Sequence, residues 1–272
     1  MERTLALWSV PAVVVALAIA LLVLAPRADH GSGGARAASP APASRASVPI
    51  LVYHAISTPP ADARLPSIYV RPAELAAHVR ALRRAGYGAV TLQRVWDAWH
   101  GRATLPRRPV VLTFDDGYAS QVTIALPLLR RERWPGVLNL ALNWVDDLGG
   151  DGAVQRLIDA GWEIDGHSRT HADLTRVPAA QLADETAGAR AELRERFGVS
   201  ARFFAYPGGR YDARVAAAVK DAGYLGATTV RRGFATPDAP YALARIQVSR
   251  GTSGEALLAR LRALRNRAGV NR

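Results

Sequence analysis

The chain has 272 residues, 49% hydrophobic and 21% charged, enough apolar material for one domain with a substantial core and too much for a disordered polymer. It has no cysteine, which excludes disulfide scaffolds, thiolate metal sites, cysteine nucleophiles and lipoprotein anchors, so any metal must sit on imidazoles and carboxylates. The net charge of +12 divides into +2 over residues 1–47, +4 over residues 255–272 and +6 between, with no basic block interleaved with aromatics, a pattern that argues against nucleic acid as a partner.

Leu5 to Ala25 is a run of 21 mostly apolar residues, long enough for a helix of about 30 Å across a bilayer core. Residues 1–26 are therefore expected to form a signal anchor or signal peptide, with retention as an anchor favoured over cleavage after Ala37. Residues 27–47, rich in Gly, Ser, Ala and Pro, have the composition of a flexible tether.

From Val48 onward short apolar runs alternate with helical patterns. Ile50 to Tyr53, Val110 to Phe114, Trp162 to Ile164, Arg202 to Tyr206 and Ile246 to Val248 are expected strands. The second is apolar on both faces, as in a parallel sheet. Leu75, Val79 and Leu82 form one helical stripe, and Leu182, Ala189, Leu193 and Phe197 a longer one. Pro72, Pro178 and Asp212 suit helix starts. Ala85-Gly86-Tyr87, Ala160-Gly161-Trp162 and Ala222-Gly223-Tyr224 repeat one punctuation, in which Gly takes a left-handed position after a helix and the aromatic leads into a strand. Such repeated units predict an α/β fold, either a barrel or a doubly wound sheet, and both place active sites at the C-terminal ends of strands. The basic segment 255–272 is expected to form an amphipathic helix, with Leu257, Leu261 and Leu264 either packed on the body or resting on an anionic membrane; packing is favoured.

The strand ends carry the chemistry. His54 follows the first, Asp115-Asp116-Gly117-Tyr118 the second, Asp165-Gly166-His167-Ser168-Arg169-Thr170-His171 the third and Pro207-Gly208-Gly209 the fourth. His167 and His171, at i and i+4, would lie on one side of a helical turn, a spacing suited to one metal ion. With Asp116 they make a two-His, one-carboxylate set that leaves coordination positions open. In isolation, Asp116-Gly117 would be a helix cap and Tyr206-Pro207-Gly208-Gly209 a turn; their conjunction is the specific signal. His30 lies in the tether, while His78 and His100 fall in or beside helices, where packing or solvation is their expected role. Trp96 and Trp99 are spaced for helix packing.

At Pro49-Ile50-Leu51-Val52-Tyr53-His54-Ala55-Ile56, Leu112 to Tyr118, Glu163 to His171 and Phe204 to Gly209, the chain resembles the polysaccharide deacetylase family, carbohydrate esterase family 4. The likeness spans Val48 to Ser249, and the Tyr-His-x-Ile opening is most similar to the branch acting on extracellular N-acetylglucosamine polymers, including biofilm poly-β-1,6-N-acetylglucosamine. The resemblance implies a distorted (β/α) barrel over residues 48–254. It also implies Asp115 as general base, Asp116, His167 and His171 as ligands of a divalent metal, usually zinc, and the Gly208 N–H as an oxyanion donor, since Pro207 has none. Tyr118, Tyr206, Trp144 and Tyr211 are the candidates for contact with sugar. Two family features are missing. Ala205 stands where many members have an Arg that pairs with the base, and Leu243-Ala244-Arg245 stands where many have a Leu-x-His that protonates the leaving amine. His54 is then the expected acid, being the one histidine outside the metal pair that follows a strand.

The expectation is a metal-dependent N-deacetylase held at the cell envelope by its N-terminal helix, facing the periplasm or exterior, or secreted, with a polysaccharide substrate and polysaccharide export machinery as partner. Its rivals are a peptidoglycan, chitin or xylan deacetylase on the same site, and a glycan-binding protein that has lost catalysis.

Overall fold

The computed structural model describes residues 43–267; the anchor, most of the tether and His30 lie outside them. No helix among the described residues is long and apolar enough to cross a membrane. In chain order the elements are β1 (Ile50–Tyr53), α1 (Pro72–Arg84), β2 (Gly88–Ala89), α2 (Leu92–Trp99), β3 (Pro109–Asp116), α3 (Leu126–Arg131), β4 (Val137–Leu140), α4 (Val145–Leu148), α5 (Asp151–Asp159), β5 (Glu163–Gly166), α6 (Ala179–Ala183), α7 (Ala189–Phe197), β6 (Phe203–Ala205), α8 (Ala213–Asp221), β7 (Gly226–Arg232), β8 (Leu243–Gln247) and α9 (Gly254–Arg267). Every strand pairing is parallel. Because β1 pairs with both β8 and β3, the sheet closes into a seven-stranded barrel, with β2 a stub beside the start of β3. Of the two architectures left open by the sequence, the barrel is the one formed.

Strand periodicity then sorts the side chains. Val110, Leu112 and Phe114 of β3, with Leu51, Tyr53, Leu138, Leu140, Ile164 and Phe204 of its neighbours, join the main apolar core shared with the surrounding helices. The alternate residues point into the barrel. At its N-terminal end Ile50, Val111, Val137, Phe203 and Leu243 form a second cluster with Leu92, Val95 and Trp99 of α2, which plugs that end. The plug is tied down where Glu163 accepts the N–H of Gln93 at 3.1 and 3.0 Å, a carboxylate at the N-terminus of α2. One step further along the same strands the interior turns polar, with Thr113, Asp115, Asn139 and Arg245 all buried. Among the described residues, a parallel barrel closed by an apolar plug at one end thus leaves its polar end as the interior face open to chemistry.

The repeated helix-to-strand punctuation is real: Gly86, Gly161 and Gly223 have φ of +78°, +80° and +85°, and Tyr87, Trp162 and Tyr224 donate their N–H to Leu82, Leu157 and Val219. Pro72 opens α1, Pro178 precedes α6, and Asp212 caps α8 by accepting the Val215 N–H at 2.8 Å. The long stripe of Leu182, Ala189 and Leu193 is buried, but its helix is broken by a π turn, Asp184–Gly188, between α6 and α7. Trp99 is buried and donates to the Ala46 carbonyl, and Trp96 sits edge-on to Phe203, so both pack as expected. His78 is buried between the Tyr53 hydroxyl and the Thr252 carbonyl, and His100 lies exposed against the Trp96 carbonyl.

Several boundaries differ from expectation. β2, β4 and β7 are additional strands: β2 is only two residues long, β4 is embedded in an apolar run that continues to Leu142, which hides a period of two, and β7 opens on Gly, Ala and Thr and ends on two arginines. β8 begins three residues before the expected Ile246, because Ala244 and Arg245 do not look like strand residues until the buried role of Arg245 is known. The folded body also begins before Val48, since Ser44 donates to the Ala98 carbonyl and Arg45 pairs with Asp238 at 2.6 Å. α9 packs against α1, where a Cβ on Gly254 would meet the Ala81 Cβ at 2.8 Å and the Ala77 carbonyl at 2.9 Å. Leu257 and Leu261 are fully buried, so the described part of this helix belongs to the body. Leu261→Ala should therefore destabilise the fold by about 2–5 kcal/mol in denaturant melts; an unchanged melt would mean that the helix does not depend on this packing.

Candidate functional site

At the polar end of the barrel a cavity is lined by His54, Asp115, Asp116, His167, His171 and Arg245, with Gly208, Gly209 and Tyr206 on the same wall. All four strand-end segments singled out in the sequence therefore meet in one place. The Nε2 atoms of His167 and His171 lie 3.3 and 3.4 Å from Asp116 Oδ1. Asp116 ends β3 with φ of +77°, and Ser168 and His171 also have positive φ, so three of the five non-glycine residues in this region of backbone space among those described are concentrated at the site. Beside Asp116, Gly117 has φ of +142°, and a Cβ there would come within 3.1 Å of Leu140 and Trp144.

The expected helical turn from His167 to His171 is not formed. The two rings converge because the loop after β5 doubles back through Ser168 at φ +67°, with the Ser168 hydroxyl accepting the His171 N–H at 2.9 Å. The loop is also held from outside. Buried Glu185, on the π turn between α6 and α7, accepts the N–H groups of Arg169 and Thr170, each at 2.9 Å. A second π turn, Gln121–Ala125, plays the same part after β3: its buried Gln121 donates to the carbonyls of Asp115 at 2.7 Å and His54 at 3.2 Å.

These residues fit a divalent cation. The donor set is two imidazoles and a carboxylate whose ligand atoms lie within 4.8 Å of one another. The His167 Nδ1 meets the Ala205 carbonyl at 2.7 Å, which makes that nitrogen the donor and leaves Nε2 as a lone pair. Asp116 Oδ1 is buried with no hydrogen-bond donor, a placement that is costly for a carboxylate unless a cation faces it. Burial pushes the His171 ring toward its neutral form, which is the ligating one.

Asp115 stands beside this set without joining it. Its Oδ1 accepts from Asn139 at 2.6 Å and from Arg245 Nη1 at 2.9 Å, while Oδ2 meets Arg245 Nη2 at 2.9 Å. The β3–β4 register places Asn139 directly opposite Asp115. Arg245 comes from β8 and also donates through Nε to the Thr229 carbonyl at 2.9 Å. Burial works to raise the Asp115 pKa, but Arg245, His167 and His54 outweigh it and hold the carboxylate well below its usual range. The Asp115 carboxylate is thus ionised and oriented by Arg245 of β8, which stands at the position where the sequence resemblance leads one to expect a late histidine. Asn139, Gln121, Glu185 and Arg245 all escaped the sequence reading. The one available signal is Arg245 itself, a charge flanked by Leu243, Ala244 and Ile246.

His54 lines the cavity, and its ring has no hydrogen-bond partner among the described residues. Burial lowers its pKa, opposed by the nearby Asp115 and Asp116. Gly208, at φ +58°, is in the first turn of a short 3-10 helix, where N–H groups lack helical acceptors. Of the aromatic candidates, Tyr118 and Trp144 are half-buried and meet edge-to-face with centroids 5.0 Å apart. Tyr211 is exposed and stacked on Tyr206 at 4.5 Å. Tyr206 is itself fully buried, with its hydroxyl on the Tyr241 carbonyl, so it supports Tyr211 rather than offering a free ring face.

Residues 102–227 match the family model described as polysaccharide deacetylase. The chain is 27% identical to the YxkH protein of Bacillus subtilis (strain 168) over 81% of its own length and 78% of that protein's. It is 36% identical to the poly-β-1,6-N-acetyl-D-glucosamine N-deacetylase of Escherichia coli (strain K12) over 41% of this chain but only 17% of that enzyme. Among solved structures, the deacetylase PplD of Streptococcus pyogenes superposes with a TM-score of 0.72 at 23% identity, covering 79% of this chain and 98% of that one. IcaB of Ammonifex degensii does so with a TM-score of 0.66 at 25% identity, covering 78% and 96%. His54 and Arg245 lie outside the segment that the family model matches.

Removing one partner of the Arg245–Asp115 pair should leave an uncompensated buried charge. Arg245→Met should cost about 3–5 kcal/mol in denaturant unfolding, and the double variant Arg245→Met, Asp115→Asn should cost less than that single change. Additive losses would show that the two side chains are not energetically coupled.

Proposed function

The chain belongs to the polysaccharide deacetylase family, and from that premise we propose that it is a metal-dependent N-deacetylase acting on an N-acetylglucosamine-containing extracellular polysaccharide. The observation that carries this reading is the convergence of Asp116, His167 and His171 beside an ionised Asp115 in one cavity. The N-acetylglucosamine polymer is suggested by the Escherichia coli relative, and the β-1,6 linkage by the same source.

When bound by Asp116, His167 and His171, a divalent ion, zinc by family precedent, would polarise the acetamide carbonyl and acidify water. Asp115, held by Arg245 and Asn139, then takes the proton of the attacking water. The Gly208 N–H donates to the oxygen on which negative charge develops. Amide cleavage needs a protonated leaving amine, and His54, the one imidazole in the cavity outside the ligand pair, delivers that proton. Tyr211 and the Tyr118–Trp144 pair give the sugar rings apolar faces on which to lie. The apolar run at residues 5–25 suits the same task, holding the enzyme at the envelope where such a polymer passes.

Acetate release across β-1,6 and β-1,4 N-acetylglucosamine oligomers and acetylxylan tests the assignment. Turnover on the β-1,6 series is expected to be fastest; fastest release from acetylxylan would move the chain to a different substrate, and none from any would leave a glycan-binding protein. His167→Ala should lose the bound ion by elemental analysis. Asp115→Asn should keep the ion and lose roughly 10²–10⁴-fold in turnover. Equal loss of metal in the two variants would put Asp115 among the ligands.

His54→Ala should keep its metal and its melting temperature, because the ring has no hydrogen bond to lose. Its turnover should fall by about 10²–10⁴-fold on an acetamide and much less on an activated aryl acetate, whose leaving group needs no proton. Equal losses on amide and aryl ester would sink the acid role.

A further inference from the structure

A row of rings leaves the metal-ligand cluster. Trp144 lies 6.4 Å from the His171 ring, Tyr118 5.0 Å from Trp144, and Tyr69 6.2 Å from Tyr118, centroid to centroid. Tyr69, Tyr118 and Trp144 line a groove of about 510 Å³ that is separate from the cavity holding Asp115, a volume within the ordinary range of ligand clefts. One charged side chain lines it, Asp147, three residues beyond Trp144 at the end of α4. Its carboxylate is exposed and has no ion-pair or hydrogen-bond partner among the described residues. In a chain carrying +12 overall, an unpaired carboxylate among aromatic rings beside the reaction centre is a local inversion of charge.

We propose that this groove binds a glucosamine residue, already deacetylated and therefore cationic, next to the N-acetylglucosamine unit undergoing reaction. The proposal rests on the deacetylase reading and deepens it. A neutral N-acetyl sugar gains only the stacking surface of Tyr118 and Trp144. A glucosamine adds an ammonium group, which is attracted both to the faces of those rings and to the Asp147 carboxylate. The groove thus recognises the product of a previous turnover, and deacetylation is directed to units adjoining ones already processed.

The test is calorimetric titration of the full chain, with EDTA present to suppress turnover, using the β-1,6-linked glucosamine trisaccharide and its tri-N-acetyl form at a pH where the amines are charged. The glucosamine form should bind roughly three- to tenfold more tightly, with an advantage that shrinks at high salt. Asp147→Asn should abolish the difference without lowering the melting temperature, since the side chain is exposed. Trp144→Ala should weaken both sugars. Equal affinities in the wild type, or a preference that survives Asp147→Asn, would overturn the proposal. Acetate release from the tri-N-acetyl form, measured separately with metal restored, reports on the deacetylase reading itself, so failure of one is distinguishable from failure of the other.

Discussion

Arg245 and Asp115 are opposite charges buried inside a barrel, each nearly inaccessible to water, and neither could stay there alone. Their mutual hydrogen bonds fix the carboxylate plane, keep it ionised despite burial and span the interior from β8 to β3. The apolar plug beneath them and the alternation of the strands make this arrangement possible. Odd-numbered residues of β3 run inward from Val111 through Thr113 to Asp115, so the same periodicity that packs one end delivers the buried carboxylate at the other.

Much of this was legible in the residues. The Ala-Gly-aromatic junctions, the Pro and Asp helix starts and the polar strand ends all follow from local backbone chemistry, and local chemistry survives folding. What the sequence concealed depends on distant partners. The pairing of Arg245 with Asp115 and of Asn139 with the same carboxylate is set by strand register, which no pattern within either segment reveals. The i, i+4 spacing of His167 and His171 predicts convergence on a helical turn, whereas a loop with left-handed residues brings the two rings together instead. At the late Leu-x-His position the imidazole is replaced by the Arg245 guanidinium, whose partner 130 residues away no local pattern discloses.

Two π turns serve the site in the same way. Each inserts one extra residue into a helical segment and thereby turns a polar side chain, Gln121 or Glu185, inward to bond the backbone of an adjacent strand-end loop. The loops bearing Asp116 and His171 carry left-handed residues that would relax if left unsupported. Buried amide and carboxylate groups on the helical layer hold them in place, so the outer layer helps to set the geometry of the cavity from behind.

Arg245 follows Asp115 by 130 residues and lies on the strand that closes the ring. During synthesis from the N-terminus, Asp115, Asp116, His167 and His171 are all made before the arginine that orients the Asp115 carboxylate. The contact joins residues 130 apart, and closing a loop of that length costs chain entropy that no local contact offsets. A chain still emerging, or one clipped before its final strand, would hold Asp116, His167 and His171 beside an undirected carboxylate. Orientation of that carboxylate therefore waits on the closing strand, which acts as a certificate that the barrel is complete.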